Sequence, residues 1–392
     1  MKRVKIAIVG CKRGGYFIDI FNMFNEQCKV TAVCDIDQKL VTEITDENPE
    51  IEGYTDYDKM LQKGDFDAVF IATPIFIHAE QSIKALKADK HVLSEVIAGT
   101  TVEELKKLVG TVEDTGMKYM YAENYCYMQP NMMILNMVEQ DLFGDLTYAE
   151  GGYIHDCRDI FFNDDGSLTW RGKLSRDYKG SVYPTHSIGP VAQWLGINKT
   201  DRLKELTCFT TPGKSPANYS RENFGKNHFT SGKTYFEDGC DSSTTVIKTE
   251  KGAVIVIRVD LQSIRPHNMR HYMLQGTKAS YHSARGADDD HLIWIKGESE
   301  TREDGLALSW DKLEDYKDKY NHPYWENEGD MAKEAGHGGG DYFIIKDFLD
   351  SIINDINPAI DVYDAAVWSS LFPLSMESVK QESKTVEIPD FK

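Results

Sequence analysis

Positive charge is scarce in this chain of 392 residues: 44 lysines and arginines face 63 aspartates and glutamates, for a formal net charge of -19. That deficit argues against nucleic acid and against anionic membrane surfaces as partners. Long apolar runs are missing too. No stretch approaches the roughly eighteen apolar residues that a membrane span needs. The apolar run near the N-terminus stops at Val9, short of a signal-peptide core, so the expectation is a cytoplasmic protein. Paired cysteines are also absent. The seven, at 11, 28, 34, 126, 157, 208 and 240, are odd in number and irregular in spacing, and they form no CxxC. They fit reduced thiols better than a disulfide framework or a zinc site, and no metal is expected. No internal repeat, low-complexity segment or long linker occurs. The length exceeds what one core usually holds, so two domains are expected.

What is present first is an alternation of strands and helices. Residues 5–9, KIAIV, read as a buried parallel strand ending at Gly10. Gly10, Cys11, Lys12, Arg13, Gly14 and Gly15 follow, then FIDIFNMF at helical spacing, then the strand VTAVC at 30–34, closed by Asp35. Asp35 lies 20 residues beyond Gly15, the offset at which a carboxylate accepts hydrogen bonds from an adenosine ribose. The glycines let backbone approach a pyrophosphate, and the helix N-terminus attracts its charge. Lys12 stands where a strict GxGxxG has its middle glycine. It removes the close approach there and supplies a charge that can meet a phosphate. The other reading is a tight turn that holds no nucleotide.

Strands at 67–73, 90–95 and 118–122 continue the rhythm, with helices at 78–88 and 101–116. Thr100 or Thr101 caps the latter, and Glu103 and Glu104 suit its first turn. Such alternation predicts a parallel sheet covered on both faces. Its ligands lie beyond the carboxyl ends of the strands, at residues 10–15, Asp35, residues 73–78, Glu95 and Asn124.

After Asn131 the pattern changes. One more helix is stopped by Gly144, and alternating runs at 146–154, 244–249, 253–260, 272–276 and 291–296 predict a large antiparallel sheet. The acidic run 288–290 reads as a solvated turn. GHGGGD at 336–341 opens a helix and either holds an anion or serves as a hinge. Asp361 caps a long apolar helix that Pro373 kinks or ends. Residues 179–190, KGSVYPTHSIGP, carry the candidate chemistry. His186 titrates near neutral pH and can take or give a proton. Tyr183, three residues earlier, shares its face if the turn is helical. Pro184 stiffens the entry and Gly189-Pro190 marks the exit. The alternative is a capping or core histidine.

These pieces together resemble the Gfo/Idh/MocA family of NAD(P)-dependent oxidoreductases over essentially the whole chain. The matching segments are IAIVG, AVCD, IATP followed by His78, and HVLSE. Most dehydrogenases of that family continue the last with Glu-Lys-Pro, and here it reads Glu95-Val96-Ile97. The runs AENYCY, LNMVEQDLFGDLTYAEGGYIHDCRD, WRGKLSRDYKGSVYPTHSIGPVAQWLGIN, LQGTKAS, GHGGGDY and DVYDAAVWSSLFPLSMESV are similar to its NAD-dependent glycoside hydrolase branch. That branch includes α-N-acetylgalactosaminidases and carries Glu-Val at this spot.

The resemblance implies a Rossmann domain at 1–124 and a substrate-binding, oligomer-forming α+β domain with an open, mostly antiparallel sheet at 125–392. The glycine turn and strand ends offer Gly10, Lys12, Gly15, Thr73 and Pro74 as NAD contacts, and the resemblance implies Arg13, Gly14, Asp35, the turn from Ile75 to His78, Glu95, Val96 and Asn124. It places sugar contacts at Tyr153, Arg171 and Asn268, with Tyr183 and His186 as catalytic groups. Three features depart from the branch. Ile75 and Ile77 replace tryptophans, Asn268 replaces a tyrosine, and the export signal of many members is missing.

The implied reaction is glycoside cleavage through transient oxidation at carbon 3. The alternatives are a net sugar or glycoside 3-dehydrogenase and a non-catalytic NAD-binding regulatory protein. The implied assembly is a homodimer or homotetramer.

Overall fold

The structure, a computed structural model, describes residues 3–266 and 271–392. The chain forms two compact units. Met1–Met128, Tyr324–Ser370 and Asp390–Lys392 make the first, and Gln129–Pro323 with Leu371–Pro389 the second.

The first unit is built on six strands. They are β1 (Val4–Val9), β2 (Cys28–Cys34), β3 (Glu52–Tyr54), β4 (Ala68–Ile71), β5 (His91–Ser94) and β6 (Tyr119–Tyr121). They pair in the order β3-β2-β1-β4-β5-β6, every pair parallel. Ile6, Ala7 and Ile8 of β1 and all of β4 are 0% exposed. Consecutive side chains point to opposite faces, so full burial of a run means that both faces are covered. The chain leaves β1 toward β2 and β3 and then returns to β4 on the other side. A crevice therefore opens at the carboxyl ends of β1 and β4, where such sheets hold ligands.

Thr101, one of the two expected caps, caps Val102–Thr115, and it forms a capping box with Glu104. The stretch after Gly10 differs from the expected plain turn. Cys11–Gly14 is a single helical turn, followed by a second helix at Phe17–Asn22. Helices Gln38–Glu47 and Tyr57–Lys63 and the strand β3 were not anticipated. The edge strand is only three residues long and buries none of them, so it lacks the apolar signature of its neighbours. Asp37 and Asp56 do cap the two helices.

The second unit carries nine strands. They are β7 (Leu146–Ile154), β8 (Leu203–Thr210), β9 (Ser243–Thr249), β10 (Val254–Asp260), β11 (His271–Gly276), β12 (Ala279–His282), β13 (Leu292–Ile295), β14 (Asp311–Lys312) and β15 (Val386–Glu387). Their order is β14-β13-β12-β11-β7-β10-β9-β8-β15. Only β7 and β10 run parallel; the other pairs are antiparallel. Inward residues such as Ala149, Ile255, Ile257 and Leu274 are fully buried. Outward positions include Phe209 and Val246, both exposed.

Helix Thr185–Trp194 packs on β7, β10 and β11. Gly151 makes that packing possible: a Cβ there would lie 1.8 Å from the carbonyl oxygen of Ser187. Pro190 does not mark an exit, because it sits inside this helix. Pro373 likewise lies within the continuous helix Val362–Lys380. Each proline lacks the N–H that would donate to the carbonyl four residues earlier.

Candidate active site

In the first unit, the sequence-predicted residues gather at the carboxyl ends of the strands. Gly10 follows β1 with φ +92°, and a Cβ there would stand 2.5 Å from the carbonyl oxygen of Ala72. No other residue type fits that crossing without displacing the end of β4. Gly14 sits against Ile8 and Gly15 against Cys11 with similarly little room. Lys12 is exposed. The Asp35 carboxylate accepts from the backbone N–H of Cys11 at 2.8 Å and of Asp37 at 2.9 Å. It thereby ties the end of β2 to the turn after β1.

Thr73 and Pro74 lead into the short turn Ile75–Ile77, and His78 opens helix His78–Lys87. His78 is 1% exposed. Its ring nitrogens lie 2.6 Å from the Thr73 carbonyl oxygen and 2.8 Å from that of Ile97. The ring thus clasps the 73–78 turn to the segment after β5, and burial pushes its pKa down. Glu95 accepts from Arg13 Nε at 2.8 Å, and the Arg13 guanidinium stacks 4.6 Å from the Phe17 ring centroid. Val96 and Ile97 are 2% and 0% exposed, so this corner is apolar and presents no amine.

Asn124 begins the turn Asn124–Tyr127 and donates from Nδ2 to Asp341 at 2.8 Å. Its Oδ1 is buried and has no hydrogen-bond partner among the described residues. A buried acceptor of this kind calls for a donor from outside the protein. With the Gly10 crossing and Asp35, it fits a dinucleotide. Asp341 and His337 were not assigned to the site from sequence. The GHGGGD run was visible, but its target was not.

In the second unit three rings converge. Tyr153 near the end of β7 lies 4.8 Å from His186 and 5.9 Å from Tyr183 between ring centroids, and Tyr183 lies 5.3 Å from His186. His186 is the second residue of helix Thr185–Trp194 and is 8% exposed. Tyr183 precedes the Pro184 cap instead of sharing a helical face with His186, yet it reaches the same ring cluster.

Arg171 stands in the first turn of helix Trp170–Asp177, capped by Thr169, and stacks 4.2 Å from the Trp170 ring centroid. Burial pushes the Tyr153 phenol up, as do Cys157 and Tyr183, while the Arg171 charge pulls it down. Burial and Asp159 push the Cys157 thiol up to about 12, again against Arg171. The structure therefore brings Tyr153, Tyr183 and His186 into one ring cluster, with the Arg171 charge acting on Tyr153. Asn268 lies outside the described residues.

A residue absent from the sequence reading meets this cluster directly. Pro190 has no N–H for the carbonyl of His186, four residues earlier. The Tyr272 hydroxyl donates to that carbonyl instead, at 2.5 Å. Inward alternation along β11 was the available signal.

The profile described as glycosyl hydrolase 109, C-terminal domain, matches residues 127–392, and that described as oxidoreductase family, NAD-binding Rossmann fold, matches residues 4–123. A glycosyl hydrolase family 109 protein of Shewanella sp. (strain MR-4) is 35% identical, over 100% of this chain and 86% of the relative. An alpha-N-acetylgalactosaminidase of Tannerella forsythia is 35% identical, over 93% of this chain and 81% of its own length. Among solved structures, levoglucosan dehydrogenase in complex with NADH and L-sorbose superposes with a TM-score of 0.76 at 18% identity, covering 100% of both chains. The WlbA dehydrogenase of Bordetella pertussis, in complex with NADH and UDP-GlcNAcA, gives 0.71 at 14% identity, over 99% of this chain and 98% of that one. At these identities the two structures speak for the fold.

Proposed function

The chain belongs to glycosyl hydrolase family 109, and from that premise we propose that it cleaves a glycoside by transient oxidation of the sugar. The substrate class is a 2-acetamido-2-deoxyhexoside, following the Tannerella forsythia relative's name. The observation that carries the reading is the convergence of His186, Tyr183 and Tyr153 in a chain that also has an NAD-binding Rossmann domain.

Bound NAD supplies reversible hydride transfer at carbon 3 of the sugar. The residues that would hold it are Gly10, Lys12, Arg13, Gly14, Gly15, Asp35, Thr73, Pro74, Ile75, His78, Glu95, Val96 and Asn124. The remaining work is proton movement, starting with the carbon 3 hydroxyl proton, which passes to a protein group as the hydride leaves and is restored when the hydride returns. Beside a carbon 3 ketone the carbon 2 proton becomes removable, and His186 with Tyr183 carries it away. The bond from carbon 1 to the aglycone oxygen breaks, and that oxygen leaves with a proton. Water then adds at carbon 1 and a proton returns to carbon 2. One glycoside and one water give one free sugar and one aglycone, with no net redox change. Arg171 offsets the enolate charge, and Tyr153 and Asn268 contact the sugar. Val96 and Ile97 are buried and apolar, so proton movement at carbon 3 falls to groups elsewhere in the site.

The same reading covers domains and assembly. Residues 1–124 carry the proposed cofactor contacts, and 125–392 carry the proposed substrate contacts and form a homodimer or homotetramer through the outward sheet face carrying Phe209 and Val246, although residues 324–370 fold with the first unit. Seven buried cysteines, none of them in a disulfide, suit a reducing cytoplasm.

Aryl 2-acetamido-2-deoxyglycosides test the activity. Free aglycone without accumulating NADH is expected. In deuterated water the released sugar should carry deuterium at carbon 2 and keep its hydrogen at carbon 3. His186→Ala should lose on the order of a hundredfold or more in rate while its NAD titration is unchanged. Stoichiometric NADH would establish a net dehydrogenase instead, and turnover without carbon 2 exchange would reject the elimination route.

A further inference from the structure

Residues 336–341 have no part in the chemistry above, yet they close on the end of β6. Gly338 and Gly339 hold φ of 61° and 90°, and His337 holds 52°. The turn brings His337 Nδ1 to 2.8 Å from Asp341 Oδ2. A Cβ at Gly340 would stand 2.3 Å from the carbonyl oxygen of Asn124, so the loop is pressed against that residue.

Asp341 is 1% exposed, and a carboxylate at such depth stays ionised only among donors. Asn124 Nδ2 meets Oδ1 at 2.8 Å, His337 meets Oδ2, and an Arg13 guanidinium nitrogen lies 3.6 Å from Oδ2. Burial pushes the Asp341 pKa up, but His337, Arg13 and Asn124 outweigh it and hold the carboxyl below its ordinary value.

The ionised carboxylate only accepts hydrogen bonds, so the NH2 end of the Asn124 amide must face it. That turns Oδ1 away from Asp341, and Oδ1 is the buried acceptor with no partner among the described residues. We propose that Asp341 is a positioning residue of the cofactor site: it locks the Asn124 amide so that Oδ1 accepts from an N–H or O–H donor of the nicotinamide riboside half of NAD. The proposal rests on Asn124 contacting NAD. It does not depend on glycoside cleavage.

Binding titrations on the full chain test it without turnover. Asp341→Asn keeps the shape of the side chain but can itself donate, which frees the Asn124 amide to flip and offer NH2 to the cofactor. NAD binding should weaken about tenfold or more, the scale of one lost hydrogen bond to a buried group. Asn124→Ala should weaken it comparably, and adding Asp341→Asn to Asn124→Ala should cost nothing further. The analogue with an acetyl group in place of the carboxamide identifies the donor. If the Asp341→Asn penalty persists with it, the donor is a ribose hydroxyl; if the penalty vanishes, the donor is the carboxamide. Unchanged affinity in either single variant would overturn the proposal. An Asp341→Asn penalty of equal size in the Asn124→Ala background would do so as well, since Asp341 would then act by another route.

Discussion

At the scale of single residues, the informative feature is a hydrogen bond moved from backbone to side chain. Pro190 takes one donor from helix Thr185–Trp194, and Tyr272 supplies the replacement to the His186 carbonyl. Tyr272 is itself 1% exposed and packs edge-on against Trp194 with ring centroids 5.8 Å apart. Its hydroxyl therefore holds the turn that carries the proposed proton-transfer group. Tyr272→Phe should cost about 1–2 kcal/mol by removing a hydroxyl donor from a buried carbonyl, and should lower kcat more than it raises KM. Pro190→Ala restores an N–H at the right ladder position. Thermal melts of the two single variants and the double should show the Tyr272→Phe loss shrinking in the Pro190→Ala background. Equal losses in both backgrounds would separate the proline from the tyrosine.

At the scale of elements, two contacts set the site. Strand β7 and helix Thr185–Trp194 approach so closely at Gly151 that any side chain meets the backbone of Ser187. Backbone cannot be repacked the way a flexible side chain can. Gly151→Ala should therefore push Tyr153 and His186 apart, with a destabilisation of about 1–3 kcal/mol or more and a loss of most activity. A melt together with an aryl-glycoside assay reads both. The second contact is the His337–Asp341 pair on the loop before helix Gly340–Ile353.

Burial acts against the charge on His337, but the Asp341 bond and charge prevail and hold its pKa above the ordinary 6.5. Its stabilising contribution is complete below 6.5 and is lost as pH rises through the raised folded value. The Asp341 contribution is complete above 3.8 and is lost as pH falls through its depressed folded value. The melting-temperature gap between the parent chain and His337→Gln should thus be widest near pH 5 and should narrow above pH 7. A gap that does not vary with pH would mean that the pair is not ionised.

At the scale of the whole molecule, the charge around the adenosine end of the cofactor sets its preference. Asp35 carries a carboxylate at the end of β2, and the next residues are the 95% exposed Ile36 and then Asp37. An extra ribose phosphate would meet negative charge and no arginine there. Titration should show NAD bound at least about tenfold more tightly than NADP, each tenfold step being about 1.4 kcal/mol. Assembly belongs to this scale as well. The outward face of the nine-stranded sheet includes Phe209 at 58% and Val246 at 39% exposure. Apolar surface of that kind favours self-association. Light scattering at micromolar concentration should report a dimer or tetramer, and Phe209→Glu should shift it toward monomer.

What could be read without coordinates was whatever repeats along the chain at short range. The buried strands β1, β2, β4, β5 and β6 announce themselves as apolar runs, because a parallel strand covered on both faces has no polar side. The Thr101 cap, the offset of Asp35 and the strands β7, β9, β10, β11 and β13 of the second unit were legible for the same reason, whereas β8, β12, β14 and β15 were not anticipated. The polar edge strand β3 was not, since it buries no residue and so carries no pattern. Only the tertiary structure decided that Pro190 lies within a helix, that Tyr272 on a distant strand satisfies the carbonyl this frees, and that Asp341, 217 residues beyond Asn124, turns its amide. Hydrogen bonds between far-separated residues depend on where the chain returns in space, and the spacing of residues along the sequence holds no record of that return.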